Sequence, residues 1–401
     1  MARVRAGQPL PMLDGTVDVI PSIQSAVIAN GLKYWPRPVF QEYVTFSSRL
    51  IDQNRIFFRS SRAPDYLLMA PGSIDDRHPA FAEGPLWPDF LARYAPQDIV
   101  GNVALLRRRD QPIDVPLHVT ETKVAALGEP VSVDTGPGAV FATIDIRPSL
   151  VGSIAMLLFK SVQIDLETQY VDGGHALYRF IPAIAREGFF LSPLIENLDD
   201  YLQLAFGMAD ANPRKVKSFV LATKMLERWL WDSHFTVTLS RLDDVALRRS
   251  ANRNSLASNL ENRLHLLEIL KENQPGGPAL RMVPEGLLAH APKQLKVATG
   301  GRTQLDIAFG IQDGAWQGAG QTNGVCFRVV ADAASPPLWE RCLDPKKQEA
   351  DRSMHTATIV VPQGVQELLL ETACRNGCAW DWSYWGRIAI SLWFDAGVNA
   401  L

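Results

Sequence analysis

The spacing of apolar and polar positions divides the 401-residue chain into stretches of different character. Over residues 15–110, short β-like runs alternate with helical ones, and this order predicts a small α/β layer domain. From about Val115, apolar and polar residues alternate without long helices, which predicts a β-sandwich. The strands predicted in that stretch are 118–123, 139–146, 162–167, 176–181, 215–221 and 235–239.

Leucines then recur at helical spacing from Leu256 to Leu270, and the run Gln274-Pro-Gly-Gly-Pro278 predicts the end of a packed helix. Residues 290–401 return to alternating strands with Gly- and Pro-containing turns, which predicts a second sandwich of jelly-roll type. The fold class expected is α+β, mainly β. The predicted domains are an α/β domain at 1–112, a β-sandwich at 113–240, a helical connector at 241–289 and a second β-sandwich at 290–401.

Composition and charge restrict the classes of partner. Hydrophobic residues make up 47% of the chain and charged residues 21%, which is typical of a folded globular protein. The formal net charge is −3, and the run Arg107-Arg-Arg109 is too short to follow a nucleic-acid backbone. We therefore expect no nucleic-acid partner, and we interpret the arginine run as a solvated strand end.

Signals for cellular location conflict within the sequence. The apolar run 150–159 is too short to span a membrane and predicts a buried strand or a short core helix. The positively charged N-terminus lacks a following apolar stretch, so no signal peptide is predicted, which taken alone indicates the cytoplasm. The cysteines indicate an oxidising compartment instead, as described next. Both signals agree if the chain is the exported part of a longer protein with membrane segments upstream of Met1.

All four cysteines lie near the C-terminus. A hairpin centred on Ser335 or its neighbour Ala334 would place Cys326 directly opposite Cys342, within reach of a disulfide. Cys374 and Cys378 are close enough in sequence to close a small loop. Two disulfides, which imply an oxidising compartment, are the favoured hypothesis. A four-cysteine zinc site and four free thiols remain the alternatives.

Catalytic patterns are absent from the sequence. The seven histidines form no H-x-x-x-H or H-x-H pair, so we predict neither a metal site nor a cofactor. No G-x-S-x-G elbow and no phosphate-binding loop occurs. The adjacent acids Asp75 and Asp76 follow an apolar strand, where a functional acid is reasonable, but a turn braced by Arg77 is the stronger interpretation.

Residues 380–385 contain four aromatic side chains with an aspartate between them. If this segment is a strand, Trp380, Trp382 and Tyr384 share one face. Aromatic rings beside polar groups suit sugars, whose C–H face stacks while the hydroxyls form hydrogen bonds. Burial of the same rings in the core is the competing interpretation, and a mixture of both is compatible with the pattern. The candidate carbohydrate-binding residues are Trp380, Asp381, Trp382, Trp385, Arg387 and Asp344.

Two groups of motifs resemble known bacterial proteins. Near the C-terminus, Gly324-Val-Cys-Phe-Arg-Val329, Arg341-Cys-Leu-Asp-Pro345 and Asp381-Trp-Ser-Tyr-Trp-Gly386 resemble a sugar-binding, galactose-binding-like β-sandwich. Upstream, Val17-Asp-Val-Ile-Pro21 and Arg37-Pro-Val-Phe-Gln41 resemble the exported C-terminal region of large polytopic bacterial membrane proteins similar to C-type glycosyltransferases.

The resemblance implies a non-catalytic region on the periplasmic face of the bacterial inner membrane. Its implied partners are a glycan or lipid-linked sugar and a membrane-embedded region in the same polypeptide or in another protein. Two alternatives stay open, namely a freestanding glycan hydrolase or lyase using acids such as Asp75, Asp76 or Asp344, and a purely structural interaction module.

Overall fold

The computed structural model describes residues 1–41, 45, 47–158, 163–250, 256–273, 280–332, 335–375 and 377–391. The chain forms two compact units, which are unit 1 (Met1–Ala257) and unit 2 (Ser258–Leu401). The predicted fold class is confirmed, because the chain is mainly β and contains an α/β sheet followed by paired sandwich sheets. The predicted domain boundaries at 112/113 and 240/241 stay predictions.

The first part of unit 1 is a five-stranded mixed sheet with strand order β2-β1-β3-β5-β4. Strand β1 runs parallel to β2 and β3, whereas β5 is antiparallel to β3 and β4. The strands are Thr16–Ile20 (β1), Lys33–Tyr34 (β2), Tyr66–Met69 (β3), Tyr94–Val100 (β4) and Val103–Arg108 (β5). The helices are Ala2–Gly7 (α1), Gln24–Ala29 (α2), Ser48–Arg59 (α3) and Trp87–Arg93 (α4).

The second part of unit 1 is a sandwich of two four-stranded antiparallel sheets, with strand orders β10-β9-β12-β7 and β11-β8-β13-β6. Its strands are Leu117–Ala126 (β6), Val131–Ser132 (β7), Val140–Asp145 (β8), Ile164–Tyr170 (β9), His175–Phe180 (β10), Phe189–Ser192 (β11), Val216–Ala222 (β12) and His234–Leu242 (β13). Its helices are Leu150–Leu158 (α5), Pro182–Glu187 (α6), Leu198–Ala205 (α7) and Val245–Ser250 (α8). The alternating strands predicted there are confirmed, although residue 162 lies outside the described residues.

Unit 2 is a sandwich of a five-stranded sheet, β14-β15-β22-β17-β20, and a four-stranded sheet, β16-β21-β18-β19. Helix α9 (Ser258–Glu272) confirms the predicted leucine-rich helix and packs on strands β14, β15, β16 and β22. The predicted helix end at 274–278 lies outside the described residues. The strands are Leu280–Val283 (β14), Gly286–Ala289 (β15), Lys293–Ala298 (β16), Gln304–Ile311 (β17), Val325–Val330 (β18), Trp339–Leu343 (β19), His355–Val360 (β20), Glu367–Cys374 (β21) and Ser383–Ser391 (β22).

A buried ion network joins elements of the α/β sheet in unit 1. Arg37 is buried, and its guanidinium contacts Asp18 Oδ2 at 3.2 Å and Glu83 Oε1 at 2.8 Å. It also donates to the carbonyl oxygen of Val19, while Asn54 donates to Glu83 Oε1. Burial raises the pKa of the Asp18 carboxyl, and the adjacent Arg37 opposes that rise. The single guanidinium bonds to both buried carboxyl groups and so ties β1 to the segments that follow it.

His78 lies in an aromatic environment within unit 1. Its ring packs edge-on against Phe81, Tyr178 and Phe189 with centroid distances of 5.7, 5.0 and 5.2 Å. Its Nδ1 accepts a hydrogen bond from the Ala80 amide, whereas Nε2 is buried without a partner among the described residues. Burial lowers the pKa of His78 to about 3, so the imidazole is neutral in the folded protein at neutral pH.

Replacing His78 should make unit 1 less sensitive to acid. Below pH 6.5 the unfolded histidine binds a proton that the folded one does not bind until the pH approaches about 3. The stability contributed by neutral His78 is therefore complete above pH 6.5 and is lost as the pH falls. Between those values the free energy of unfolding should fall by about 1.4 kcal/mol per pH unit more in the wild type than in His78→Asn.

Urea unfolding over that pH range measures the two slopes. The asparagine oxygen can still accept the Ala80 amide, so the comparison isolates the titration. His175→Asn, at an exposed position, should keep the wild-type slope. Parallel pH profiles for the wild type and His78→Asn would show that the imidazole does not titrate on unfolding.

Candidate functional site

Four loops meet at one end of the sandwich in unit 2. Strands β15, β17, β19 and β21 end there, and β16, β18, β20 and β22 begin there. We call this end the rim and define it as residues 290–292, 312–324, 344–354, 375 and 377–382. Because adjacent antiparallel strands return to the same edge, segments far apart in sequence come together at the rim.

Both predicted disulfides are confirmed, and they join strand ends beside the rim. Cys326 of β18 is paired in register with Cys342 of β19, and a disulfide joins them. The second disulfide joins Cys374 to Cys378 and closes the loop after β21. The sulfurs are bonded to each other and not to a metal, so the zinc alternative does not hold.

Asp381 holds three loops of the rim together. Its Oδ1 accepts a hydrogen bond of 2.8 Å from the Thr322 hydroxyl, and its backbone carbonyl accepts one of 3.3 Å from the Ala291 amide. The residue is fully buried, and burial raises the pKa of its carboxyl, which the Thr322 hydrogen bond opposes. Its Oδ2 is buried without a hydrogen-bond partner among the described residues. Asp381 is therefore a positioning residue and has no surface to offer a ligand.

Trp380 and Trp382 form an aromatic pair on either side of Asp381. Their ring centroids are 5.2 Å apart at an interplanar angle of 38°, and both side chains are half-buried. Trp382 lies over Gly314, where an added Cβ would come within 2.9 Å of its Cζ3. Trp380 has a φ of +64°, a left-handed conformation that costs a bulky L-residue about 1–2 kcal/mol. The backbone conformation that positions the Trp380 ring therefore lowers the stability of the folded protein.

A third rim tryptophan was missed by the sequence analysis. Trp316 is half-buried, and the Arg352 guanidinium lies 5.0 Å from its ring centroid, a cation–π contact. The sequence did contain a signal for it. The loops after β17 and β21 both follow strands that end at the same edge of the sandwich. Pairing the predicted strands would have brought Trp316 and Trp380 to one surface.

Of the other three predicted carbohydrate-binding residues, two are buried and one lies farther along β22 from the tryptophan pair. Trp385 is fully buried in the core and packs at right angles to Phe327, so it has no surface for a ligand. Asp344 is buried and accepts a hydrogen bond from the Lys347 amide at 3.2 Å. Arg387 is exposed, but it lies five residues beyond Trp382, or about 16 Å along the chain.

The predicted alternation of faces was wrong at residues 380–382, because β22 begins only at Ser383. These residues form a turn, so the two-residue period of a strand does not apply to them. Trp380 and Trp382 share a side because of the turn geometry.

The candidate catalytic acids of unit 1 lie in a strained turn. Asp75 and Asp76 both have positive φ angles, +50° and +57°. Arg77 contacts the Asp75 carboxylate at 3.6 Å, and the Asp76 carbonyl accepts a hydrogen bond from the Arg179 amide. These contacts fit the braced turn that the sequence analysis favoured over catalysis.

Helix α5 carries an exposed apolar surface on unit 1. Leu150 and Leu157 are 88% and 86% exposed, and Met225 in the adjacent turn Met225–Leu230 is 89% exposed. The only buried residue of α5 is Gly152, which sits directly on the Leu230 carbonyl. The predicted burial of this run was therefore wrong, although the short helix is present. We call this surface, which comprises Leu150, Val151, Ile154, Leu157, Leu158, Met225 and Trp229, the α5 surface.

Lys224 and Arg228 flank the α5 surface. Both are exposed, and neither forms an ion pair with a described residue, although the Arg228 guanidinium donates a hydrogen bond to the Leu127 carbonyl oxygen. Glu227 between them is half-buried. In the part of the chain that the structure describes, no helix has both the length and the hydropathy to cross a membrane.

No protein-family model matches the chain, and no curated protein matches it. Among solved structures, the CBM51-2 and INT domains of Clostridium perfringens ZmpB, in complex with GlcNAc, align with 26% of this chain at 17% identity and a TM-score of 0.22. This chain spans only 22% of that structure.

Two tandem structures align over more of the chain. The tandem CBM51 modules of Sp3GH98, the family 98 glycoside hydrolase from Streptococcus pneumoniae SP3-BS71, cover 75% of this chain and 88% of their own at 9% identity, with a TM-score of 0.21. The CBM22-1-CBM22-2 tandem domain of Paenibacillus barcinonensis Xyn10C covers 69% and 91% at 10% identity, also with a TM-score of 0.21. Scores this low establish neither a common fold nor a common function.

Proposed function

We propose that this chain is a non-catalytic glycan-binding region that works at a membrane surface outside the cytoplasm. The observation that carries the glycan-binding part is the Trp380–Trp382 pair, which the rim presents on a rigid turn. A sugar ring can stack its C–H face on an exposed indole, while its hydroxyls bond to polar groups nearby. Asp313, which is exposed and precedes the glycine under Trp382, offers carboxylate oxygens for such bonds.

Binding without turnover suits the three buried acids of the rim. Asp344, Asp351 and Asp381 are all buried, and each accepts a hydrogen bond from a neighbouring loop residue. A glycosidase needs two carboxyl groups that face one cleft and reach the substrate. These three carboxyl groups act as structural acceptors, and no observation favours the hydrolase or lyase alternative.

The α5 surface supports the membrane part of the proposal. Soluble proteins rarely expose so many large apolar side chains side by side. Apolar residues with a tryptophan and flanking cations are typical of segments that lie in the membrane interface. Lys224 and Arg228, which have no ion-pair partner in the described chain, would complement anionic headgroups. The occupant that we propose for this surface is therefore a lipid bilayer.

The compartment and the partner are part of the same proposal. Two disulfides within unit 2 suit an oxidising environment such as the periplasm. We place the chain on the periplasmic face of the bacterial inner membrane, beside a glycosyltransferase-like membrane region in the same polypeptide or in a partner. The glycan or lipid-linked sugar handled by that region would be the ligand of the rim.

Trp380→Gly should weaken glycan binding strongly without destabilising unit 2. Glycine adopts a φ of +64° without strain, so the free energy of unfolding should be unchanged or slightly higher. Loss of a central tryptophan should weaken binding by about 30-fold, as expected for a hot-spot residue worth about 2 kcal/mol. A panel of immobilised oligosaccharides identifies the ligand, and calorimetry on the best one measures the affinity. Trp229→Ala, at an exposed tryptophan of unit 1, is the matched control.

Two outcomes would contradict glycan binding at the rim. One is a wild-type protein that retains no oligosaccharide of the panel. The other is a Trp380→Gly variant that binds as tightly as the wild type.

Polar substitutions on α5 should release the protein from membranes. We expect the wild type to sediment with vesicles of phosphatidylcholine and phosphatidylglycerol, and less so at high salt because Lys224 and Arg228 contribute. The triple variant Leu150→Ser, Leu157→Ser and Leu158→Ser should bind at least about tenfold more weakly, because it removes the most exposed leucines.

Val119→Ser with Val124→Ser, at positions of β6 that are 65% and 68% exposed, provides a control for the loss of apolar surface as such. This control should sediment like the wild type. A wild type that stays in solution at all lipid concentrations, or a triple variant that still sediments, would show that the α5 surface does not bind lipid.

A further inference from the structure

A cleft of about 520 Å³ opens at one end of the mixed sheet in unit 1. It lies where β5 ends and where β1, β3 and β4 begin. Its wall contains four arginines, Arg93, Arg107, Arg108 and Arg109. The sequence analysis interpreted 107–109 as a solvated strand end. Only Arg107 is exposed, however, while Arg108 and Arg109 are half-buried.

Two of these arginines, Arg93 and Arg109, are brought together by the pairing of β4 with β5. Tyr94 of β4 pairs with Arg108 of β5, and the Arg109 amide donates to the Arg93 carbonyl at 2.7 Å. Arg93, the last residue of α4, and Arg109, which follows β5, are therefore neighbours across the end of the sheet, and Arg107 lies on the same cleft wall. Like charges placed directly opposite each other in a sheet are destabilising unless an anion lies between them.

The positive charge in the cleft is only partly compensated within the protein. Arg108 is paired with Asp65 at 3.0 Å, and Arg93 lies 3.7 Å from Asp89, which already holds Arg59 through both oxygens. No carboxylate of a described residue lies within 4 Å of the Arg107 or Arg109 guanidinium.

Burial adds to the cost at two of these side chains. The Nε atoms of Arg93 and Arg109 are buried without a hydrogen-bond partner in the described chain. Burial also lowers the pKa of Arg109. A half-buried guanidinium without a partner anion is costly, so the site is better satisfied with a bound oxyanion.

The rest of the wall is suited to a sugar. Asp14 and Asp110 are exposed at the cleft and can accept hydrogen bonds from hydroxyl groups. Tyr66 and Phe58 supply aromatic surface beside the arginines. We propose that this cleft binds a sugar carrying an oxyanion, either a phosphate ester or a carboxylate. The guanidinium groups of Arg107 and Arg109 hold the anion, and the two aspartates hold the hydroxyls.

Calorimetry at constant ionic strength tests this site with four probes, namely glucose 1-phosphate, glucuronate, glucose and inorganic phosphate. We expect one of the two charged sugars to bind, and the stronger one identifies the anion. Glucose lacks the anion and phosphate lacks the hydroxyls, so both should bind at least about tenfold more weakly. Arg109→Gln should weaken binding of the charged sugar by about 10- to 100-fold, because charge-assisted hydrogen bonds are lost. Arg147→Gln, at a side chain that is 71% exposed elsewhere in unit 1, should have no effect.

Arg107→Gln, at an exposed position, is a second variant in case Arg109→Gln fails to fold, and thermal unfolding reports on both. The proposal is overturned if neither charged sugar binds, if glucose or phosphate binds equally well, or if a folded arginine variant keeps full affinity. The result is independent of the rim, because Trp380→Gly should leave binding of the charged sugar unchanged. Failure of glycan binding at the rim and failure at this cleft are therefore distinguishable.

Discussion

The buried carboxyl of Asp381 is the interaction on which the rim depends. A buried carboxyl is unfavourable unless hydrogen bonds compensate it, and here the Thr322 hydroxyl and backbone groups bring three loops to one residue. The Cys374–Cys378 disulfide closes the same loop from its other end. Between these two constraints Trp380 adopts a backbone conformation that an isolated chain would rarely populate. The surface that we assign to glycan therefore depends on the Asp381 hydrogen bonds and on the Cys374–Cys378 disulfide.

Unit 1 shows how a buried arginine with acid partners differs from a half-buried arginine without them. Arg37 is fully buried, and Asp18 and Glu83 compensate it at hydrogen-bond distance. Removing any member would leave a buried charge without a partner, so the network stabilises the sheet and has no capacity for a ligand. Arg109 lies at the end of the same sheet without such an acid among the described residues. The difference between the two arginines lies in their partners, and this distinguishes a structural residue from a candidate binding residue.

Features that depend on local pattern could be predicted from the sequence. Alternating residues indicated the sandwich strands, and the symmetry of a hairpin placed Cys326 opposite Cys342. Features that depend on long-range contacts could not. The apolar run of α5 was expected to be buried, but it is exposed. Hydrophobicity indicates that a segment favours burial, but it does not show whether another part of the chain packs over it. Likewise, Trp385 and Trp380 look equivalent in sequence, and only the start of β22 at Ser383 separates a core residue from a rim residue.

Trp380, helix α5 and Arg109 each carry a feature that opposes stability, and each lies at a surface to which we assign a function. Trp380 has a left-handed backbone, α5 exposes large apolar side chains, and Arg109 keeps a half-buried charge without an acid in the described chain. By contrast, Arg37 follows the ordinary rule that a buried charge has partners of opposite sign, and the Trp385 ring follows the rule that large apolar surfaces are buried. Natural sequences tend to depart from those rules where a bound ligand or a contacting surface compensates the loss of stability. Because the three departures have different physical origins, namely backbone strain, apolar exposure and uncompensated charge, one ligand class would not relieve all of them. A stacked sugar would compensate the first feature, a lipid surface the second and an oxyanion the third. A protein that binds anionic sugars at a membrane would contact all three.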